Sequence, residues 1–170
     1  PNPDFIWGFN NTLGYKGFDL NIFFQGSQGN DLMSFTLLEN ELLGGNSGNQ
    51  TKRTLNRWTP SNTNTNIPAA VLSRAQRVST RVIYDGSYAR LKNIALGYTL
   101  PKKITDKMKI DRIRLYISAQ NILTFTSYPG VDPEVNYLSG GGAAGNLNAG
   151  LDYASYPNAS SVTFGLNIGF

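Results

Sequence analysis

Ser161-Val162-Thr163-Phe164-Gly165-Leu166-Asn167-Ile168-Gly169-Phe170 alternates without a fault. Val162, Phe164, Leu166, Ile168 and Phe170 share one face of an extended chain, and Ser161, Thr163, Gly165, Asn167 and Gly169 share the other. Successive side chains of a strand point to opposite sides, so one face is apolar and the other small and polar. A soluble strand usually carries Lys and Glu on its polar face. Gly, Ser, Thr and Asn opposite an unbroken apolar row predict a barrel strand with lipid outside and a wet lumen inside.

Four more segments read the same way. Phe5, Trp7, Phe9, Leu13 and Tyr15 alternate with Gly8, Asn10, Thr12 and Gly14. Lys16-Gly17 follows as a tight hairpin turn, and Phe18, Leu20, Ile22 and Phe24 then oppose Asp19, Asn21 and Gln25. A third strand is expected from about Ser87 to Leu100. A fourth is expected from about Arg112 to Phe125, with Ile113, Leu115, Ile117, Ala119 and Leu123 in step.

The connections alternate short and long: Lys16-Gly17, then about Ser27 to Asp85, then Pro101 to Lys109, then Thr126 to Ala159. Long structureless loops are uncommon in compact soluble domains. Short turns at one end and long loops at the other are the habit of outer-membrane barrels. A periplasmic C-terminus would put both long loops outside the cell. The first is expected to hold a packed helix capped by Asp31, with Met33, Leu37, Leu38 and Leu42 near helical spacing and Gly44-Gly45 as the stop. The Gly140 to Gly150 stretch, rich in Gly, Ala and Asn, reads as pliable.

Tyr88 and Tyr98 share one face of the third strand, ten residues apart. At roughly 3.3 Å per residue and a tilt of about 40°, that separation is roughly 25 Å of height, the spacing of two aromatic girdles. Arg90 and Lys92 then fall on the lipid face beside Tyr88, at a rim where lipopolysaccharide phosphates would meet them. A bulge that turns them inward is the alternative.

Composition agrees with a barrel. The 170 residues are 12% aromatic and 15% charged, against roughly 25% charged in soluble domains. The net charge is +4 and the pI near 9.4. The basic residues occupy loops and strand ends, which fits acidic lipid head groups. No cysteine and no histidine is present, so a disulfide framework, thiolate metal sites and the commonest general base are excluded within this chain. No apolar run approaches the roughly 20 residues of a spanning helix. The start at Pro1-Asn2-Pro3, with no Met and no signal peptide, reads as a piece of something longer.

Glu39/Glu41 and Asp132/Glu134 are carboxylate pairs of the kind that acid–base catalysis uses, but loop carboxylates are usually solvated, and no enzyme is expected. Ca²⁺ at Asp132 and Glu134 is less favoured than a turn around Pro129-Gly130 and Pro133, so neither metal nor cofactor is expected. Lys52, Arg53, Arg57, Arg74, Arg77 and Arg81 could form a nucleic-acid patch. Interspersed Asn and Thr favour a solvated extracellular loop instead.

Particular stretches resemble a known family. Tyr15-Lys16-Gly17-Phe18-Asp19 with Phe23-Phe24-Gln25-Gly26 resembles a hairpin of SusC/RagA-type TonB-dependent transporters. So do Arg57-Trp58-Thr59-Pro60 with Asn64-Thr65-Asn66-Ile67-Pro68, and the long run from Asp85-Gly86-Ser87-Tyr88 to Gly97-Tyr98-Thr99-Leu100-Pro101. Gln120-Asn121, Thr124-Phe125-Thr126, Tyr128-Pro129-Gly130-Val131-Asp132-Pro133-Glu134-Val135 and Tyr156-Pro157 complete the series in the family's order. Ala89 departs from the larger apolar residue expected there, and Ser160-Ser161 from an Arg-Thr pair.

The resemblance implies an all-β chain: an antiparallel transmembrane segment giving the last five or so strands of a barrel of about 22, the class with a plugged lumen. Residues 1–170 would be the C-terminal portion of the barrel, without plug or TonB box. The implied location is the outer membrane. The implied function is import of oligosaccharides or peptides, with a SusD-like surface lipoprotein as lid and TonB acting through the part not in this chain. Trp58, Tyr128, Tyr137, Tyr153 and Tyr156 are then candidates for ligand or lid contact, with Asp132 beside Tyr128. Terminal Phe170 would be an assembly signal. The rival reading is a soluble, secreted carbohydrate-binding β-sandwich, which would bury the apolar faces against a second sheet.

Overall fold

The computed structural model describes residues 1–43, 48–71, 77–134 and 149–170. Along the chain run β1 (Phe5–Tyr15), β2 (Phe18–Gln28), β3 (Asp31–Ser34), α1 (Phe35–Asn40), β4 (Ile83–Asp85), β5 (Tyr88–Thr99), α2 (Lys102–Thr105), β6 (Arg112–Thr126), β7 (Leu151–Asp152) and β8 (Ser161–Gly169). They divide into two compact units.

The first unit is a five-stranded antiparallel sheet in the order β1-β2-β5-β6-β8. All five long predicted strands are present. The β1–β2 hairpin turns on Lys16 (φ 46°) and Gly17 (φ 87°). Positive φ at both central residues is the turn whose twist matches the flanking strands. A Cβ on Gly17 would also press on the Thr99 carbonyl oxygen, whose own N–H donates to the Gly17 carbonyl at 2.8 Å. The Pro101–Lys109 connection is compact: α2 runs into a 3-10 turn closed by Lys109 at φ 55°.

Partners across the ladders share a face, so register assigns the sides. Phe18, Leu20 and Ile22 pair with Tyr98, Leu96 and Ile94, and these with Leu115, Ile117 and Ala119. Ile113, Leu115, Ile117 and Ala119 pair with Ile168, Leu166, Phe164 and Val162. Much of this apolar face is bare: Leu115, Phe164, Leu166 and Phe170 are 51%, 77%, 55% and 90% exposed, whereas Leu91 and Ile113 are buried. A soluble sandwich would cover it.

The opposite face is polar and bonded to itself. Asn21 Nδ2 donates to Asn10 Oδ1 and Thr12 Oγ1, each at 3.0 Å, while Asn21 Oδ1 accepts from Asn93 Nδ2 at 3.5 Å. Tyr116 on β6 lies across Gly165 on β8, where a Cβ would collide with the ring. Arg114 stacks over Tyr116 at 5.2 Å.

One expectation about this sheet fails. The register slips between Phe23 and Phe24 on the β2 side of β5, and between Leu91 and Asn93 on the β6 side, leaving Lys92 as an inserted residue. A one-residue slip exchanges the faces. Leu91 pairs with Phe24 on the apolar face, whereas Arg90 pairs with Gln25 and Tyr88 with Ser27 on the polar face. Arg90 is 2% exposed. Arg90 and Tyr88 therefore do not form a lipid-facing rim, and Tyr88 and Tyr98 do not share a face. Tyr98 keeps its predicted side.

The second unit comprises Pro1–Pro3, Gly29–Gly86 and Ser127–Pro157. Its sheet, in the order β4-β3-β7, joins the two long connections: β3 pairs antiparallel with β4 and parallel with β7, setting Ser34 against Asp152. Leu32, Leu37, Leu38, Leu43, Ile67 and Val82 form its core. The expected helix exists but starts later. Asp31 lies in β3 opposite Asp85, and Ser34 is the cap, accepting from the Leu37 N–H at 3.3 Å. Leu42 lies beyond the helix end, and the expected stop at Gly44-Gly45 falls outside the described residues, as does 140–148 of the pliable stretch.

Candidate functional site

The loop unit is built around two buried carboxylates. Glu41, just past α1, is fully buried. Arg53 reaches its Oε1 at 3.2 Å and Arg81 its Oε2 at 2.7 Å. An isolated buried carboxylate is expensive, whereas one held between two guanidiniums is compensated. Arg53 also donates to the Tyr84 hydroxyl at 3.3 Å. Two residues of the suspected basic patch thus serve an internal acid. Glu41 does not act as half of an acid–base pair open to solvent.

Asp152, the second carboxylate, is 5% exposed. Its Oδ2 accepts from Tyr128 Oη at 2.5 Å and from Ser34 Oγ at 3.3 Å, and its Oδ1 from Thr36 Oγ1 at 3.3 Å. Burial, and next the bond to the Asp152 carboxylate, push the Tyr128 phenol well above the ordinary tyrosine range. The ring packs edge-on against Tyr84 and lies over Gly130, where any side chain would strike it.

These contacts correct two candidates. Tyr128 is 5% exposed and Asp132 4%, so neither offers a free surface for a ligand to stack on or bond. Asp132 Oδ1 accepts from the Glu134 N–H at 2.9 Å, a turn closed by its own side chain. Both residues shape the Pro129-Gly130 to Pro133 segment. The other candidates present their rings. Trp58 is 43% exposed, Tyr156 is 96% exposed, and Tyr153 at 36% meets Phe35 edge-on at 6.3 Å. Tyr137 lies outside the described residues.

Sequence reasoning did not single out Asp152 or the Glu41–Arg53–Arg81 cluster. Their partners are separated by 12 to 118 positions, and only the pairing of β3 with β7 and the packing behind α1 bring them together. The one available signal was Glu41 itself, an acid next to an apolar run whose neighbouring loop is rich in arginine.

The whole chain has relatives. It is 50% identical over 170 residues to "TonB-dependent receptor P3" of Formosa agariphila, covering all of this chain and 17% of the relative. It is 28% identical to "TonB-dependent receptor SusC" of Bacteroides thetaiotaomicron, again across the whole chain and 15% of the relative. The RagAB peptide transporter superposes with a TM-score of 0.77 over 96% of this chain and 17% of that one, at 30% identity. No family model matches. The chain spans about a sixth of the length of the curated relatives it matches.

Proposed function

We propose that this chain, a stretch of the β-barrel of a SusC/RagA-type TonB-dependent receptor, forms part of the wall of an outer-membrane importer and serves transport rather than catalysis. The observation that carries this reading is the sheet's division into a largely bare apolar face and a self-bonded polar one. An apolar face of that extent is tolerated where lipid covers it, and a polar face satisfied among its own side chains suits a lumen. The apolar row including Phe164, Leu166 and Phe170 would meet the acyl chains. Phe170 would serve in barrel assembly.

Ser27, Tyr88 and Thr126 are aligned across β2, β5 and β6. Both long connections therefore depart from one end of the sheet, opposite the Lys16-Gly17 turn. That end would be extracellular, so the loop unit would meet a SusD-like surface lipoprotein and the arriving ligand, an oligosaccharide or a peptide. Trp58, Tyr153 and Tyr156 are the exposed rings best suited to such contacts, and Tyr137 remains a candidate. TonB would act through the part of the protein outside this chain. Lys92 is the remaining candidate for lipopolysaccharide contact.

The test uses cells with and without the full-length gene, given labelled oligosaccharides and labelled peptides. Gene-dependent uptake of either class, with the protein heat-modifiable in the outer-membrane fraction, is the expected result. Recovery in the soluble periplasmic fraction would sink the location, and uptake unchanged by deletion would sink the activity.

A further inference from the structure

Beside the buried Glu41 lies a cavity of about 440 Å³, lined by Leu38, Leu42, Pro68, Arg77, Ser79 and Arg81 as well as Glu41 itself. Its size is within the roughly 300–1,000 Å³ of small-ligand sites. One wall is apolar: Leu38, Leu42 and Pro68. The other carries two guanidiniums and a hydroxyl. We propose that this cavity receives an oxyanion, a carboxylate or a sulfate ester, carried by the molecule that the loop unit meets.

The charge balance is the first reason. Glu41 is the acid of the lining and its charge is balanced: Arg81 bonds one oxygen at 2.7 Å, and the guanidinium of Arg53, from outside the cavity, lies 3.2 Å from the other. Arg77 then adds a further cation to the lining. The cavity wall is positive in sum, so a neutral or cationic guest gains nothing there that an anion does not gain more strongly.

Preorganisation is the second. Arg81 is tied by Glu41 but keeps a side-chain exposure of 19%. A guanidinium has five N–H donors, and the contact with Glu41 Oε2 goes through Nη1. The buried acid fixes the fork's position before a ligand arrives, which removes part of the entropy loss of binding. Arg77 is exposed and reaches the cavity from the chain just before Ser79 and Arg81. Two arginines and a hydroxyl within three alternate positions make a compact oxyanion grip.

The apolar wall adds a condition. It suits a ligand with a hydrophobic flank beside its charge, such as a sugar ring or an aliphatic side chain, and strengthens a hold on the anionic group that the guanidiniums already supply. The inference rests on the transporter reading only for where such a ligand comes from; the binding itself can be measured without transport.

The experiment is equilibrium dialysis of purified full-length protein against radiolabelled sulfate and, separately, radiolabelled acetate, with glucose as the uncharged control. Arg77→Gln is the variant, because Arg77 is exposed and its loss leaves both ion pairs of Glu41 intact; Arg77→Lys tests charge without the fork. Saturable binding of at least one anion is expected, weakened about tenfold in Arg77→Gln, the effect of losing one charge-assisted hydrogen bond, and only partly weakened in Arg77→Lys. Sulfate alone would identify an ester ligand, and acetate alone a carboxylate. No saturable binding of either anion, or equal binding by wild type and Arg77→Gln, would overturn the proposal while leaving gene-dependent uptake as a separate result.

Discussion

Arg114 on β6 grips Asp19 on β2 across the intervening strand β5: Nε donates to Oδ1 at 3.0 Å and Nη2 to Oδ2 at 2.5 Å. The two strands are not neighbours in the sheet. The pair closes over Gly97, where a Cβ would fall on Arg114 Nη2 and both carboxylate oxygens of Asp19. The bidentate contact therefore ties three strands through a residue that contributes only its lack of a side chain.

Gly97→Ala should break that pair without disturbing the backbone, since the obstructing atoms are side-chain tips. Half-exposed ion pairs are worth about 1 kcal/mol or less, so the expected effect is a small fall in the temperature at which the full-length barrel loses its folded gel mobility. Asp19→Asn should lower that temperature similarly in wild type and add nothing in the Gly97→Ala background. Additive losses would show that the pair is not what Gly97 protects.

Phe170→Ala, or deletion of Phe170, should reduce the amount of assembled barrel more than Gly169→Ala. The ring is 90% exposed at the end of the apolar row. A Cβ on Gly169 meets only the Arg112 Cβ at 3.8 Å, an ordinary contact. Surface levels measured side by side decide it, and equal levels would contradict an assembly role.

Tyr128→Phe removes the hydroxyl that bonds Asp152 and should cost the loop unit about 1 kcal/mol. A pH signature accompanies it. The Tyr128 phenol is raised above its ordinary value of 10.0, first by burial and then by Asp152. The folded state thus holds the proton more tightly than the unfolded one, so the stability from this group is intact below pH 10 and is lost as the pH rises above it. Hydrogen exchange of the loop unit should accelerate in that alkaline window in wild type and less so in Tyr128→Phe. Tyr128→Ala should lower protein abundance and uptake together. Uptake lost at normal abundance would restore the ring as a ligand contact.

Trp58→Ala should behave in the opposite way. The indole is 43% exposed, and exposed aromatic platforms are worth roughly 1–2 kcal/mol once a partner desolvates them. Uptake of the preferred substrate should fall while abundance and heat-modifiable mobility stay unchanged. A parallel fall would make Trp58 structural.

The alternation of β1, β2, β6 and β8 was legible because a strand's side-chain period is local: each residue's face follows from its neighbours along the chain. The Lys16-Gly17 turn was legible for the same reason. β5 shows where that stops. Its alternation is regular in sequence, yet the slip at Lys92 moves Arg90 and Tyr88 to the polar face, and the slip is defined only by which residues of β2 and β6 stand opposite. The cap of α1 likewise depends on β3 extending to Ser34 to pair with Asp152. In the loop unit, the burial of Glu41, Asp152, Tyr128 and Asp132 is a product of contacts between distant segments. Sequence by itself determined the faces of β1, β2, β6 and β8, the fold class and the family resemblance, because period and local motif carry them. Tertiary structure alone decided which polar residues are spent inside and which remain available, because burial and charge compensation depend on neighbours that the linear order does not record.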